Sequence, residues 1–413
     1  MMNSRLKWIT TQIGAREHYL PPVALARRGV LEAGFTDFWA GAATRWVAKF
    51  STRLRSVANR YEDELANQRM IAFNVRAVLK TWAQHHQKNG GITSLYDFFT
   101  RYGEWFARSV LRELRKWKLE GERHRYFGFN TGCLETIDYL REHGVFCVVQ
   151  QIDPARTEQR LVAEEARRWR GWETDAGEIP DSYFARLENE WHQSSLVVVN
   201  SEWSRKAMVE QGVPSGKLVV IPLGYERPHN SSPPVRAYGG RPLRVVWLGS
   251  VTLRKGIPYL LEAARKLKKR RIEFIIAGPI AINLEAIPNK PDNVKFLGRV
   301  QRNDVPRIVA EADIYVLPTV SDGFALTQLE AMAQGLPVIT TPNCGEVVTA
   351  GRDGFIVPAR DSEALADAIA KIDDDRDLLA RMAAESLNTV GRFSIENYGA
   401  RLIAASDAAQ DRQ

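Results

Sequence analysis

The sequence predicts an α/β protein built from two doubly wound domains, and three observations carry that expectation. From Leu243 onward, short β-branched runs alternate with helically spaced stretches. The first half repeats strands of the same kind less regularly. Between the halves, Pro222 to Pro242 gathers prolines, Asn230, Ser231, Ser232 and a Gly239-Gly240 pair, the composition of a linker.

Taken in order, the strands expected in the first half are Trp8 to Gln12, Gly34 to Phe38, Tyr126 to Phe129, Val145 to Gln150 and Leu196 to Asn200, with a long helical insertion from about Ala42 to Arg123. In the second half they are Leu243 to Leu248, Glu273 to Ala277, Val294 to Phe296, Ile314 to Leu317, Pro337 to Thr340 and Gly354 to Val357, with helices over Ile257 to Arg270, Val305 to Glu311 and Leu326 to Gln334. Strands separated by helices imply parallel sheets, and two such sheets imply a cleft between their C-terminal edges, where open α/β sheets take ligands. The expected division is an N-terminal domain over 1–225, a linker over 226–242, a second domain over 243–390 and a terminal helix over 391–413.

The 413 residues are 45% hydrophobic and 26% charged, which excludes a disordered, collagenous or disulfide-framed chain. Three widely spaced cysteines, Cys133, Cys147 and Cys344, form no CxxC, so free buried thiols in a reducing compartment are expected. No apolar run reaches 18 residues, and Met1 to Ile9 lacks a basic stretch followed by an apolar one, so a cytoplasmic, non-spanning protein is expected. The net charge of +8 is concentrated in residues 1–150, which carry about +9 and favour an anionic partner on that side.

Several familiar motifs fail on inspection. Gly212 to Leu218 looks like a phosphate loop but is one residue short, with Leu218 where a magnesium-binding hydroxyl belongs. No G-x-G-x-x-G follows an expected strand, so a dinucleotide redox site is not indicated. Asp373-x-Asp375 reads as a solvated helix start rather than a metal site. His85-His86 reads as surface.

Two loops do carry chemistry. Gly249-Ser250-Val251-Thr252-Leu253-Arg254-Lys255-Gly256 follows a strand and precedes a helix. Its adjacent cations and backbone amides suit a diphosphate. After Ile314 to Leu317, Asp322 and Glu330 stand eight residues apart across a strand-to-helix turn, and carboxylates in such places accept hydrogen bonds from sugar and ribose hydroxyls. Gly323 and Ala325 would let a ligand approach the backbone there, with amides from Phe324 to Leu326 near a helix start.

With Leu248-Gly249 and Lys255-Gly256, the segments Ala277-Gly278-Pro279, Phe296-Leu297-Gly298, Ala312-Asp313, Asp322-Gly323-Phe324, Leu329 to Ala333 and Gly335-Leu336-Pro337-Val338 resemble, in order, the C-terminal half of the group 1 (family 4) glycosyltransferases. So do Asn200 to Ser204 and Val220 to Gly224. The resemblance implies a GT-B fold, a nucleotide-sugar donor held chiefly by the second domain, retention of anomeric configuration, and no metal or other cofactor.

By position, Lys255 then matches the diphosphate lysine and Glu330 the acid that grips the donor ribose. Asp322 replaces the first glutamate of the family's E-x7-E pattern, and Ser250 replaces its usual arginine, leaving Arg254 as the second cation. On this reading Arg254, Lys255, Asp322 and His18 serve catalysis. Gly14, Gly249, Ser250, Gly278, Gly298, Arg299, Gly323, Phe324, Ala325, Leu326 and Glu330 line the donor. Gly14 to Tyr19 follows the first strand and faces the cleft, so Arg16 and Glu17, with the strand-end residues Asn130 and Asp153, are placed toward the acceptor. Many relatives carry a histidine near Gln151 to Asp153; this chain does not.

The expected partners are a nucleotide-sugar and a carbohydrate or lipid-linked acceptor. The apolar and basic pattern of Trp105 to Arg125 fits either a core-docked helix or an interfacial one lying at an anionic membrane face, and nucleic acid is not expected. The alternative function is a non-catalytic nucleotide-sugar or glycan binding protein of the same fold.

Overall fold

All the strand pairings within each of the two described sheets are parallel, and the sheets share one winding pattern. The computed structural model describes residues 6–41, 44, 60–85, 91–173, 177–227, 233, 234, 236, 240–301 and 304–412. The first sheet comprises β1 (Lys7–Gln12), β2 (Leu31–Thr36), β3 (Met70–Ala72), β4 (His124–Phe129), β5 (Phe146–Gln150), β6 (Leu196–Val199) and β7 (Leu218–Val220), in the order β3-β2-β1-β4-β5-β6-β7. The second comprises β8 (Leu243–Leu248), β9 (Ile272–Ala277), β10 (Val294–Gly298), β11 (Ile314–Leu317), β12 (Val338–Thr340) and β13 (Gly354–Ile356), in the order β10-β9-β8-β11-β12-β13. In each, the order reverses beside the domain's first strand, the switch point at which such sheets bind ligands. The central strands are apolar on both faces because helices cover both: β5 and β6 are buried throughout.

The helices that bear on the site are α1 (Leu20–Arg27), α2 (Asn74–His85), α3 (Gly91–Leu114), α4 (Leu134–Glu142), α5 (Arg156–Arg168), α6 (Asp181–Gln193), α7 (Glu202–Glu210), α8 (Ile257–Lys266), α9 (Val305–Ala310), α10 (Leu326–Met332), α11 (Ser362–Asp374), α12 (Arg376–Val390) and α13 (Ile395–Gln410).

Three sequence expectations need correction here. The insertion from Ala42 to Arg123 is not wholly helical: Met70 to Ala72 pairs with Gly34 to Thr36 as an edge strand, and 45–59 lies outside the described residues. The second strand runs from Leu31 to Thr36 rather than Gly34 to Phe38. Asp373 falls in the last turn of α11, paired with Arg270 and Arg376, while Asp375 caps α12 by accepting from the Leu378 amide. That acidic cluster therefore straddles two helix ends. His86 and the linker residues Asn230, Ser231 and Ser232 lie outside the described residues.

Ser215 to Lys217 form a short turn leading into β7. All three cysteines are buried and free. Phe106, Val110 and Leu114 of α3 are fully buried, so the apolar face of the Trp105 to Arg125 segment is spent on the core while Arg108 and Lys116 face out. Among the described residues, no helix is long and apolar enough to cross a membrane.

Two features tie the domains together. The chain crosses between them at 222–227 and again at 391–395, and the two crossings run side by side: the Tyr225 amide donates to the Phe393 carbonyl (2.7 Å) and that of Ile395 to Glu226 (3.1 Å). Beyond the second crossing, α13 lies on α1 and buries Tyr398 and Leu402 in the first domain's core. On the opposite side of the cleft, α5 and the turn after it dock onto the second domain. Trp172 enters that domain's core, the Asn283 amide donates to the Trp172 carbonyl (2.7 Å), and Tyr259 and Arg360 hold Glu165.

Candidate active site

The cation loop is pinned from behind. Gly256 takes φ +73°, and a Cβ there would stand 1.7 Å from the Pro318 carbonyl oxygen, so only glycine lets the loop close onto the end of β11. The Arg254 carbonyl then accepts from the Val320 amide (2.9 Å) and the Thr319 hydroxyl (3.1 Å). The loops after β8, β9 and β10 are stitched edge to edge: Gly249 donates to Ala277, and Gly278 to Gly298. Ser250 and Arg299 are exposed on this rim.

This anchoring brings Arg254 and Lys255 together with Asp322. Lys255 Nζ forms an ion pair with Asp322 Oδ2, and Arg254 Nη1 lies 3.8 Å from Asp322 Oδ1. Burial acts to raise the Asp322 carboxyl, but Lys255 and Arg254 outweigh it and hold the group below the usual aspartate range. Asp322 is fixed in turn by its amide, which donates to Asn343 (2.9 Å), while Asn343 Nδ2 donates to the Val320 carbonyl (2.8 Å). Phe324 is buried against Gly345.

Of the amides from Phe324 to Leu326, expected to face an anion, that of Ala325 is already engaged within the protein. Ala325 donates its N–H to the Cys344 carbonyl (3.1 Å), and α10 is only seven residues long. Glu330 stands on α10 and faces His18 across the cleft, with His18 Nε2 3.9 Å from Glu330 Oε1. A cavity of about 450 Å³ opens between them and runs toward Val305 and Tyr225.

The first domain meets this cluster directly. A Cβ on Gly323 would stand 1.8 Å from the Ile152 carbonyl oxygen, so the Asp322-Gly323 turn and the Ile152-Asp153 turn touch. Ser201 donates to the Gly323 carbonyl (2.7 Å). Glu158 of α5 was not anticipated from sequence. Its Oε2 accepts from the Ser321 hydroxyl at 3.0 Å and lies 3.3 Å from Arg254 Nη1. Burial, reinforced by Asp153 and Asp322 and opposed by Arg254, pushes its carboxyl up to about 7. The Asp153 carboxyl is likewise raised by burial. Three carboxylates thus share two cations. No local signal marks Glu158, because it sits 96 residues from Arg254 in a polar helix.

On the far side, Gly14 (φ +74°) donates to Asp37 Oδ1 (2.8 Å), a second residue the sequence did not flag. Arg16 reaches the Asn130 side chain (3.2 Å) and carbonyl (3.3 Å). Glu17, His18 and Tyr19 all take left-handed φ of 49°, 54° and 61°, a strained run for side-chain-bearing residues that turns the segment into the cleft. Gln150 Nε2 donates to Glu17 Oε1 (2.5 Å), and Tyr398 of α13 donates to Gln150 Oε1 (3.0 Å). Glu17 Oε2 is buried without a hydrogen-bond partner, and burial pushes that carboxyl up to about 7. Glu17 therefore lines the 450 Å³ cavity with Glu330, while Asp153 and Arg254 border a neighbouring one, and Asn130 is buried beside Arg16. Among the described residues, no group of three or more His, Cys, Asp or Glu side chains is placed to hold a metal ion.

Known proteins bear on this geometry. A family model described as glycosyl transferases group 1 matches residues 242–375. The chain is 29% identical over 186 residues to the amylovoran biosynthesis glycosyltransferase AmsK of Erwinia amylovora, covering 41% of this chain and 45% of that protein. It is 29% identical over 219 residues to the D-inositol 3-phosphate glycosyltransferase of Corynebacterium urealyticum, covering 48% and 51%. The chain thus spans about half the length of the curated relatives it matches.

Among solved structures, sucrose-phosphate synthase from Thermosynechococcus elongatus superposes with a TM-score of 0.66 at 16% identity over 99% of this chain and 100% of that one. Anabaena HepE, solved in complex with UDP and glucose, superposes at 0.59 and 16% identity, over 98% and 100%. These likenesses show the fold. The group 1 glycosyl transferase model thus matches residues 242–375, the second sheet and its helices, within a two-sheet architecture that these solved structures share.

Proposed function

We propose that the chain transfers a sugar from a nucleotide-diphosphate-sugar to a carbohydrate or lipid-linked acceptor, with retention of anomeric configuration and without a metal. The observation that carries this reading is the convergence of Arg254 and Lys255 with Asp322 at the switch-point end of the second sheet, in contact with the first domain's Ile152-Asp153 turn.

As the glycosidic bond to the diphosphate breaks, the sugar gains oxocarbenium character and negative charge gathers on the leaving oxygen. Cations fixed at that oxygen stabilise the transition state more than the ground state. Arg254 and Lys255 fill that role, trading their carboxylate partners for phosphate. Asp322 and Glu330 accept from sugar and ribose hydroxyls. Arg16, Glu17, Asn130 and Asp153 form the acceptor wall, and His18, opposite Glu330, handles the acceptor proton.

Thermal stabilisation by a panel of UDP-, GDP- and ADP-sugars identifies the donor, since a ligand at 100 times its dissociation constant adds about 2.7 kcal/mol. Lys255→Ala is expected to raise the barrier by about 3 kcal/mol, a loss of roughly a hundredfold in turnover, with the fold retained. Unchanged turnover in that variant overturns the phosphate assignment. Tight nucleotide binding with no turnover on any donor would instead make the chain a non-catalytic nucleotide-sugar binder.

A further inference from the structure

The turn that carries Asp322 is held from both domains. From its own domain, Arg254 Nη1 (3.0 Å) and the Thr319 hydroxyl (3.1 Å) donate to the Ser321 carbonyl, and the Asp322 amide donates to the Asn343 carbonyl. From the first domain, the Ile152 carbonyl fills the space where a Gly323 side chain would stand, Trp203 Nε1 lies 3.4 Å from Ser321 Oγ, and the Ser201 hydroxyl donates to the Gly323 carbonyl at 2.7 Å. The carbonyl before Asp322 is thus fixed by the second domain and the carbonyl of the residue after it by the first.

Ser201 can make this bond because of where it stands on α7. It is the N-cap, and its Oγ accepts from the Ser204 amide (3.1 Å), one of the amides that a helix start leaves unpaired. Capping uses a lone pair of the hydroxyl and leaves its proton free. At an exposed cap that proton goes to water. Ser201 and Ser204 are fully buried, so here it needs a protein acceptor, and the Gly323 carbonyl at 2.7 Å is nearer than Ser204 Oγ at 3.1 Å. The helix start is braced on the second domain a second time, where the Glu202 amide donates to the Glu346 carboxylate (3.1 Å). One hydroxyl therefore joins the first turn of a first-domain helix to the turn that bears Asp322.

The short reach of Asp322 gives that bond its weight. An aspartate carboxylate stands one carbon–carbon bond, about 1.5 Å, nearer its backbone than a glutamate's. With one torsion fewer to find a sugar hydroxyl, it depends on its backbone being delivered to the right place, and a misplacement of about 1 Å costs on the order of a hundredfold in rate. We propose that Ser201 is a positioning residue: through the Gly323 carbonyl it sets the Asp322 carboxylate against the donor's sugar, while the hold on the nucleoside diphosphate is left to the cation loop. This assignment rests on the transfer reading above and extends it by separating what grips the sugar from what grips the nucleotide.

The test compares, on the full chain, the nucleotide-sugar that stabilises it most in the panel above with the matching nucleoside diphosphate. The ratio of their affinities, read by calorimetry, reports the hold on the sugar. Ser201→Gly removes the hydroxyl and keeps the helix, since glycine is tolerated at an N-cap nearly as well as serine. That variant is expected to bind the nucleoside diphosphate within about twofold of the parent chain, to bind the nucleotide-sugar at least about fivefold more weakly, and to lose about tenfold or more in kcat. Ser201→Thr, which keeps both the cap and the proton, is expected to restore the affinity ratio and kcat to within about threefold. An equal change for both ligands, no change for either, or a threonine variant as impaired as the glycine one overturns the proposal. Because the affinity ratio needs no turnover, it still decides the role of Ser201 in a chain that binds nucleotide-sugar without transferring it, a result that would sink the transfer reading alone. A parent chain that binds no nucleotide-sugar removes both.

Discussion

At the level of single residues, the meeting of Arg254 and Lys255 with Asp322 was legible because these residues sit on two compact local motifs. Arg254 and Lys255 sit in one glycine-bounded loop, and Asp322 and Glu330 lie eight residues apart on one turn and helix. What no local pattern exposes is the set of partners brought in from afar: Glu158 on Arg254, Asp37 on the Gly14 amide, and Gln150 with Tyr398 behind Glu17. Glu17 yields a prediction of its own. Burial raises its carboxyl in the fold to about 7 from an ordinary 4.5. Between those values the folded chain holds a proton that the unfolded chain has released. Stability tied to this group is therefore present at pH 4.5 and is lost as pH rises through 7, by an amount of order 1 to 3 kcal/mol. Glu158, raised to about 7 as well, adds a contribution of the same sign. Thermal melts from pH 5 to 8 should show this fall, and Glu17→Gln should flatten part of it. A slope identical in the variant and the parent chain would mean that Glu17 does not carry it.

Among the elements, the second sheet was readable because its strands are short, mainly apolar runs rich in β-branched and aromatic residues and separated by helical periods, and they fall within a residue or two of expectation. The first sheet was less so. Met70 to Ala72 and Leu218 to Val220 are three-residue strands, too short to show a period, and the former sits inside a mainly helical insertion. Strand β2 contains Gly34, packed closely against Met70, which blurs its start. Helix α5 carries a further consequence. Belonging to the first domain by sequence and docked on the second in space, it delivers Glu158 to the Arg254 guanidinium, the group proposed above to take the donor diphosphate. Carboxylate and phosphate then compete for Arg254. Since Glu158 titrates near 7, lowering the pH from 8 to 6 removes the competitor, and nucleotide-sugar affinity should rise severalfold. The donor diphosphate, esterified at both ends, does not itself titrate there. Glu158→Gln should bind the nucleotide-sugar more tightly at pH 8 and lose the pH dependence. Weaker binding by that variant would show instead that Glu158 orients Arg254 for the ligand.

For the whole molecule, the two-domain layout followed from the linker composition and the repeated strand-helix pattern, whereas the way the domains are clasped did not, because it depends on side chains far apart in sequence. Arg27 of α1 is the clearest instance. It pairs with Glu64 (2.7 Å) from its own domain, and with Glu226 (2.9 Å) and Glu396 (2.5 Å), which flank the two chain crossings. One guanidinium therefore ties α1 to both crossings. Each pair is partly solvated and by itself adds little to stability. Removing the arginine has a larger effect than losing weak pairs, because Arg27→Ala leaves three carboxylates facing one another with no cation between them. The resulting repulsion is screened by salt, with a Debye length of about 30 Å at 0.01 M falling to about 3 Å at 1 M. The variant should therefore melt several degrees below the parent chain at low ionic strength and regain most of that difference in about 1 M sodium chloride. Scattering at low salt should also show a wider spread of interdomain separations, which nucleotide-sugar narrows by drawing both walls of the cleft onto one ligand. A melting deficit independent of salt would place the role of Arg27 in packing against its neighbours rather than in holding the crossings by charge.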